Sequence, residues 1–359
     1  MKKRLLCLLL ALLLALSLPA AAEGESQPAP PQTTTETTEL SDGSTMTVVT
    51  DNQTGSAVTT IVREDGTLFQ FKTSKRGRLL DALVDVSVKA ARHSAETGET
   101  ICVPLRSVVK LPEEQTLRFR VDIPNGVREV WLEFPVEDIL PGAVAVAVDE
   151  DDKQTVIRQT YLWDDSLVFP LDKDADIMLV DNSRTFADVH EADHWAAEAV
   201  EFTVAREIFQ GVDDTRFDPD GTLSRAMVVT VLWRLIGAPQ VDHAMTFEDV
   251  SPGTYYLDAV GWAFAQKLVS GYDAKTFAPN DTITREQLAV ILWRFAERAS
   301  CSRADLDFAD ADQVSEYAIP ALLWATGEGL FPVEDGLLRP KDPATRAETA
   351  QLLMNFLCW

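Results

Sequence analysis

The feature that most limits what this 359-residue chain can fold into is a repeat filling its C-terminal half. Phe186-Ala187-Asp188-Val189, Phe247-Glu248-Asp249-Val250 and Phe308-Ala309-Asp310-Ala311 recur at an interval of about 60 residues. An aromatic follows each start: Trp195, Tyr255 and Tyr317. Next comes a helical stretch carrying Ala199-Val200-Glu201-Phe202, Ala259-Val260-Gly261-Trp262 or Ala321-Leu322-Leu323-Trp324. Turns holding Gly211, Gly271 and, in the third copy, Val333 lead to Phe217-Asp218-Pro219, Phe277-Ala278-Pro279 and Leu338-Arg339-Pro340. A second helix then opens behind Ser224, Thr284 or Thr345, residue types that accept the free N–H groups of a first turn. Val228, Leu232 and Trp233, with Leu288, Leu292 and Trp293 and then Leu352, Leu353 and Phe356, give each second helix one apolar stripe. Three such stripes are buried most simply against one another, so the pattern predicts an all-α bundle of three helix–loop–helix units around a pseudo-threefold axis.

The first half reads differently. Lys2-Lys3-Arg4, the apolar run Leu5 to Leu16 and Ala20-Ala21-Ala22 have the three parts of a secretory signal, so residues 1–22 are expected to be cleaved. The apolar run is short for a membrane span, and no later segment approaches that length. Residues 23–40 are rich in Pro, Thr, Gln and Glu and read as a linker. From 41 to 182, short alternating runs are separated by turn sequences such as Glu64-Asp65-Gly66 and Pro124-Asn125-Gly126. They predict a β-rich domain of antiparallel, sandwich-like form, with one helix near Ser87 to Glu96 closed by Gly98. The fold class expected is therefore α+β multidomain, with repeats at 185–240, 246–300 and 307–359.

Charge removes several functions. Lys and Arg number 32 against 57 Asp and Glu, a net charge of −25, which repels phosphate backbones and anionic membrane surfaces. No nucleic-acid partner, and no membrane once the signal is removed, is expected. His190-Glu191-Ala192-Asp193-His194 matches the H-E-x-x-H zinc signature, but it precedes a helix rather than lying within one. Asp213, Asp214, Asp218 and Asp220 lack the spacing of a calcium loop. No metal, cofactor or catalytic residue is expected, and residues 41–182 show no nucleophile elbow or phosphate loop. After loss of Cys7 with the signal, Cys102, Cys301 and Cys358 remain, with Cys301–Cys358 a conceivable pair.

Phe-x-Asp, the Gly turn, Phe-x-Pro and Thr-Arg-Ala-Glu, in order and three times over, resemble the S-layer homology domain. Thr345-Arg346-Ala347-Glu348 and Ile283-Thr284-Arg285-Glu286 are the best copies of the last element; Val333, Ser224 and Met227 depart from the pattern. The resemblance covers about residues 185–359. It implies an exported bacterial protein held noncovalently to a secondary cell-wall polysaccharide, often carrying pyruvate ketals, in grooves between adjacent repeats. An Arg fork binds such a carboxylate bidentately, and helix starts favour anions, which points to Arg225, Arg285 and Arg346. The alternative is that each Arg pairs with Asp188, Asp249 or Asp310 to clamp its unit; both can hold. Trp195, Tyr255 and Tyr317 are read either as core or as flat faces for a sugar. Gly211 and Gly271 are read as helix-ending turns that also let a ligand approach. The groove that depends on Val333 is expected to be degraded, leaving two working sites. The expectation is a non-enzymatic protein of the cell wall or surface layer, with copies of itself as a second candidate partner. The alternative is a wall-anchored enzyme or carbohydrate-binding adhesin whose activity lies in the β-rich region.

Overall fold

The structure, a computed structural model, describes residues 32–105, 117–136, 139–189, 194–241, 245, 247–301 and 305–358. The expected signal and residues 23–31 of the expected linker lie outside them, as do His190 to Asp193. The N-terminal region is rich in β-structure and the C-terminal region is helical.

The strands are β1 (Thr33–Glu39), β2 (Thr45–Asp51), β3 (Ala57–Val62), β4 (Leu68–Thr73), β5 (Leu79–Asp85), β6 (Ile101–Cys102) and β7 (Leu117–Asp122). They continue with β8 (Val130–Pro135), β9 (Ala143–Val148), β10 (Gln154–Val156), β11 (Tyr161–Trp163), β12 (Ser166–Leu171) and β13 (Ala175–Asp181). Nine form one sheet in the order β1-β2-β3-β4-β5-β7-β13-β9-β10, and four form another in the order β11-β12-β8-β6. The alternating pattern fixes which face each strand buries. In β4, Phe69 and Phe71 point inward, and in β8 Val130, Leu132 and Phe134 do so. Residues from both sheets meet in one core, where Phe119 lies 4.8 Å from Phe134 and Phe134 stacks on Phe169 at 5.4 Å. Helix α1 (Val88–Thr97) is capped by Ser87, whose hydroxyl accepts from the Ala90 N–H, and ends at Gly98 in the left-handed conformation.

Two expectations need correcting here. The linker reading of residues 23–40 fails at its end: Thr33–Glu39 pairs along its whole length with β2. Five of its seven residues are Thr, a strand former, and as an edge strand it needs no buried side chain. The pairing is also not wholly antiparallel, since β5 runs parallel to β7 and β6 parallel to β8. The long connection through α1 makes the β5–β7 pairing sterically possible, and residues 103–129 span the β6–β8 one.

The repeats contribute α2 (Ala197–Ala205) and α3 (Arg225–Leu235), α4 (Leu257–Ala265) and α5 (Arg285–Phe295), and α6 (Ile319–Gly327) and α7 (Arg346–Leu357). One apolar core runs through all three, from Phe202 and Leu232 through Trp262 and Leu292 to Trp324 and Leu353. Among the described residues no helix is long and apolar enough to cross a membrane. Cys102, Cys301 and Cys358 are not in disulfides, so the Cys301–Cys358 pair is not formed; the Cys301 thiol instead donates to the Leu323 carbonyl at 3.0 Å.

The two regions are joined through Arg206, the residue that ends α2. Its guanidinium is fully buried and donates to the carbonyls of Thr160 at 2.6 Å, Pro141 at 2.9 Å, Ala143 at 3.1 Å and Phe202 at 3.0 Å. It also lies 3.5 Å above the Phe202 ring. Burial pushes its pKa down, with the neighbouring Cys358 opposing. Four carbonyl acceptors keep the cation charged. The same position holds Gln266 in the second repeat and Glu328 in the third. Tyr161 and Leu162 of β11 also reach the helical core. Arg206→Met keeps the apolar stem but strands the sheet carbonyls. It should lower the unfolding free energy by roughly 3 kcal/mol in a urea titration of the full chain.

Candidate functional site

The three second helices start together. The Leu223 N–H donates to the Ala344 carbonyl, the Ala344 N–H to Ile283 and the Ile283 N–H to Leu223, a ring of backbone bonds of 2.9–3.0 Å that closes on itself. Each helix start is then completed by the next repeat. The Arg225 and Ala226 N–H groups donate to the Asp281 and Pro279 carbonyls, those of Arg285 and Glu286 to Asp342 and Pro340, and those of Arg346 and Ala347 to Gly221 and Pro219. Ser224, Thr284 and Thr345 accept the N–H three positions further on, from Met227, Gln287 and Glu348. The helix-start N–H groups read above as free to attract an anion are therefore already satisfied.

The arginines follow the same cycle. Arg225 sends Nε to the Phe277 carbonyl at 3.0 Å and Nη2 to Ser270 at 2.9 Å. Arg285 reaches Leu338 at 2.9 Å and Pro332 at 2.6 Å. Arg346 reaches back to Phe217 and Gln210, both at 2.7 Å. Each guanidinium also lies over an aromatic ring of that neighbour: Phe277 at 4.8 Å, Phe331 at 4.6 Å and Phe217 at 4.4 Å. Every arginine is thus a bridge between repeats, and burial pushes all three guanidinium pKa values down.

The aspartates hold the other side of the same peptide segments. Asp188 accepts from the N–H groups of Phe217 at 2.8 Å and Asp218 at 2.7 Å. Asp249 does so for Phe277 and Ala278, and Asp310 for Leu338 and Arg339. Burial works against the Asp188 carboxylate, but its backbone donors outweigh it and lower its pKa. The direct Arg–Asp pair expected from the sequence is not formed: the Asp takes the N–H and the Arg of the preceding repeat in the ring takes the C=O of one residue. This double grip holds Asp218, Ala278 and Arg339 at φ of +60°, +58° and +49°, left-handed values that non-glycine residues before proline seldom adopt.

Gly211 and Gly271 are not helix ends. A Cβ on Gly211 would lie 2.5 Å from Phe186 Cε1 and 2.4 Å from the Asp213 carbonyl, and Gly271 meets Phe247 and Asp273 in the same way. Both glycines let the turn close onto the aromatic that opens the repeat. The left-handed helix ends are instead Glu207, Lys267 and Gly329.

Trp195, Tyr255 and Tyr317 are 60%, 59% and 53% exposed, which overturns the core reading and leaves three flat aromatic faces open to solvent. The junction between the second and third repeats differs from the others. There Glu286, almost fully buried, accepts from the Ser315 N–H at 3.0 Å, the Ser315 hydroxyl at 2.8 Å, the Tyr317 hydroxyl at 2.9 Å and Lys341 Nζ at 2.7 Å. Burial opposes its charge, but Lys341 and the Ser315 and Tyr317 donors outweigh it and hold its pKa below the usual 4.5. Burial and this carboxylate together push the Tyr317 phenol up to about 12. Arg285 Nη1 meets Glu348 Oε1 at 2.5 Å, and Arg339 meets the same oxygen at 2.9 Å. Among the described residues, no three His, Cys, Asp or Glu side chains come together as a metal site. His194, the described end of the H-E-x-x-H run, accepts through Nδ1 from the Ala196 N–H. Asp213 is used within its own turn by Thr215 and Arg216. Glu286, Lys341 and Arg206 were not singled out in the sequence. The available signal was departure from the other copies, Glu286 standing where they have Ala226 and Ala347.

Repeats that complete one another through arginines, each with an exposed aromatic at the equivalent position, define a tandem module rather than three independent domains. Residues 185–226, 246–289 and 307–350 match the S-layer homology domain, so the chain carries three such domains. It is 30% identical over 179 residues to an amylopullulanase of Thermoanaerobacterium thermosulfurigenes, covering 48% of this chain and 10% of the enzyme. It is 29% identical over 179 residues to the surface-layer 125 kDa protein of Lysinibacillus sphaericus, 48% of this chain and 15% of that protein. It is 27% identical over 149 residues to a cellulosome-anchoring protein of Acetivibrio thermocellus, 40% of this chain and 31% of that protein. The chain spans from a tenth to under a third of the length of these relatives. The enzymes among them match through the repeats alone.

Two measurements check the geometry. Gly271→Ala places a methyl against backbone and the Phe247 ring and should cost about 1–3 kcal/mol in a denaturant titration. Because the Glu286 pKa is lowered in the folded state, its stabilisation is present above pH 4.5 and is lost as pH falls through the lowered value. Stability curves of the wild type and Glu286→Gln should therefore be separated at pH 7 and converge on acidification.

Proposed function

We propose that this chain is an exported bacterial surface protein, held noncovalently to a secondary cell-wall polysaccharide by its three repeats, with the β-rich region carried outward. The architecture behind this reading is a sandwich-like β domain, residues 41–182 with β1 added at its edge, followed by a pseudo-threefold helical bundle. The polymer is one bearing carboxylates, of which pyruvate ketals are the type. The protein is not an enzyme in this reading, and copies of the chain are a second partner.

The observation that carries the proposal is an exposed aromatic at the equivalent position of each repeat, in a module whose junctions are each bridged by an arginine. A monomeric soluble protein gains nothing from holding three large aromatics in water at equivalent positions, whereas a sugar ring can cover each face. The arginine forks supply charge selectivity. Arg225 and Arg346 use Nε and Nη2 on the neighbouring repeat, and Nη1 has no partner among the described residues, so it is available to a carboxylate. Arg225 and Arg346 thus keep a donor for a ligand beside the bonds that bridge the repeats, Arg285 gives its Nη1 to Glu348, and the acidic remainder of the surface rejects unselected polyanions. Asp188, Asp249, Asp310, Gly211 and Gly271 serve the site by fixing the loops that shape it.

The test is co-sedimentation of the mature chain, residues 23–359, with cell-wall sacculi before and after the polysaccharide is stripped. The wild type should pellet only with intact sacculi. A Trp195→Ala, Tyr255→Ala, Tyr317→Ala variant, altered only at exposed positions, should keep its fold by circular dichroism and bind at least ~10-fold more weakly. Failure of the folded wild type to pellet with intact sacculi would overturn the proposal.

A further inference from the structure

Among the described residues the two sheets have four edge strands: β1 and β10 on one, β11 and β6 on the other. β10 and β11 are three residues long and β6 is two, the short form in which natural sheets blunt an edge. β1 does not follow that rule. It runs for seven residues, Thr33–Glu39, pairs with β2 without a bulge, holds no Lys, Pro or Gly, and is exposed along its whole length. The hydrogen-bond pattern of an antiparallel pair shows what this edge offers. The Asn52 N–H donates to the Gln32 carbonyl and the Leu40 N–H to the Ser44 carbonyl, so the even-numbered residues bond to β2. The N–H and C=O groups of Thr33, Thr35, Thr37 and Glu39 therefore point away from β2, and none has a backbone partner among the described residues.

We infer that β1 is a self-pairing edge: two copies of this chain join antiparallel along Thr33 to Thr37, each Thr35 opposite its counterpart, so that two nine-stranded sheets become one. This names the surface for the second copy included in the proposed function, and it rests on that part of the reading alone. In this register Thr33 faces the partner's Thr37 and Glu36 faces the partner's Thr34, so no acid stands opposite an acid. Sliding one chain by two residues would set Glu36 against its counterpart, which like-charge repulsion opposes. The pairing also continues a row of polar side chains already present. Thr37, Thr47, Thr60 and Gln70 lie side by side across β1 to β4, with Thr37 and Thr47 sharing a hydrogen bond of 3.4 Å and Gln70 donating to Thr60 at 3.4 Å. The partner's Thr33 adds the next rung. A two-fold contact uses the same patch on both chains, and the other edges are short, so assembly by this route stops at the dimer. Five paired residues make a small contact between chains of net charge −25, so the dimer is weak, forms at high concentration and tightens with salt.

Sedimentation velocity of the mature chain, residues 23–359, over a concentration series at low and high salt reads the association. A reversible monomer–dimer equilibrium is expected, stronger at high salt and without larger species. Thr35→Pro removes an outward N–H while leaving the bonds to β2 in place, and should weaken the dimer at least ~10-fold. Thr35→Lys and Thr35→Glu should each be monomeric alone, and their mixture should dimerise at least as strongly as the wild type, because in this register the position faces itself. Circular dichroism checks each fold, and if the proline variant is unfolded the mixture decides. A dimer that folded Thr35→Pro leaves as strong as wild type, a mixture no tighter than either variant alone, or oligomers beyond the dimer would overturn the inference and spare the second-copy reading. A folded wild type that stays monomeric at every concentration and salt overturns both, and leaves the edge to a strand of another protein.

Discussion

The structure depends on arginine side chains donating to backbone carbonyls of the next repeat. Arg225, Arg285 and Arg346 each reach across a junction, and the last reaches back to the first repeat, so the chain of contacts is closed. A guanidinium suits this work because it offers several donors in a rigid plane and cannot lose its charge. Carbonyls in an irregular loop would otherwise be left without donors in a partly buried place. Because the Asp of each repeat takes the opposing N–H groups, the left-handed residue of the Phe-x-Pro turn is fixed from both sides. No repeat is complete without its neighbours, and a single repeat would leave both helix starts and turns unsatisfied.

Arg206 extends that logic to the β-rich region. The sheets offer the carbonyls of Pro141, Ala143 and Thr160, and the cation that meets them lies at the end of α2. Val144 and Val146 of β9 pack with Ala205 beside it. The helical region is therefore seated on the sheets through the first repeat. For this reason the experiments above use the mature chain rather than the repeats alone.

Much of this was legible. Hydrophobic alternation and Asp-Gly or Asn-Gly turns marked residues 41–182 as rich in strands, since a half-buried strand must alternate. Capping residues located α1, α3, α5 and α7 for the same local reason. β1 and β5 escaped. Thr33–Glu39 has no apolar face to show, and Leu79-Leu80-Asp81-Ala82 breaks the alternation with exposed Leu80. The candidate site was legible as a set of recurring residues, but not in what each contacts. A recurring Asp and a recurring Arg suggest a salt bridge, and only three dimensions reveal that a peptide group lies between them.

The sequence by itself determined that the chain holds three copies of one helix–turn–helix unit behind a strand-rich region, and that the surface is strongly acidic. Those properties follow from periodicity, capping and charge, which are local or additive. Tertiary structure alone decided that the copies close into a ring and that the recurring aromatics face solvent. It also placed Glu286 and Glu348 at one junction only, and made Arg206 rather than an apolar patch the centre of the link to the sheets. Each of these turns on which donor meets which acceptor across distant segments. Pairing of that kind leaves no period in the sequence, only an occasional residue out of step with its copies.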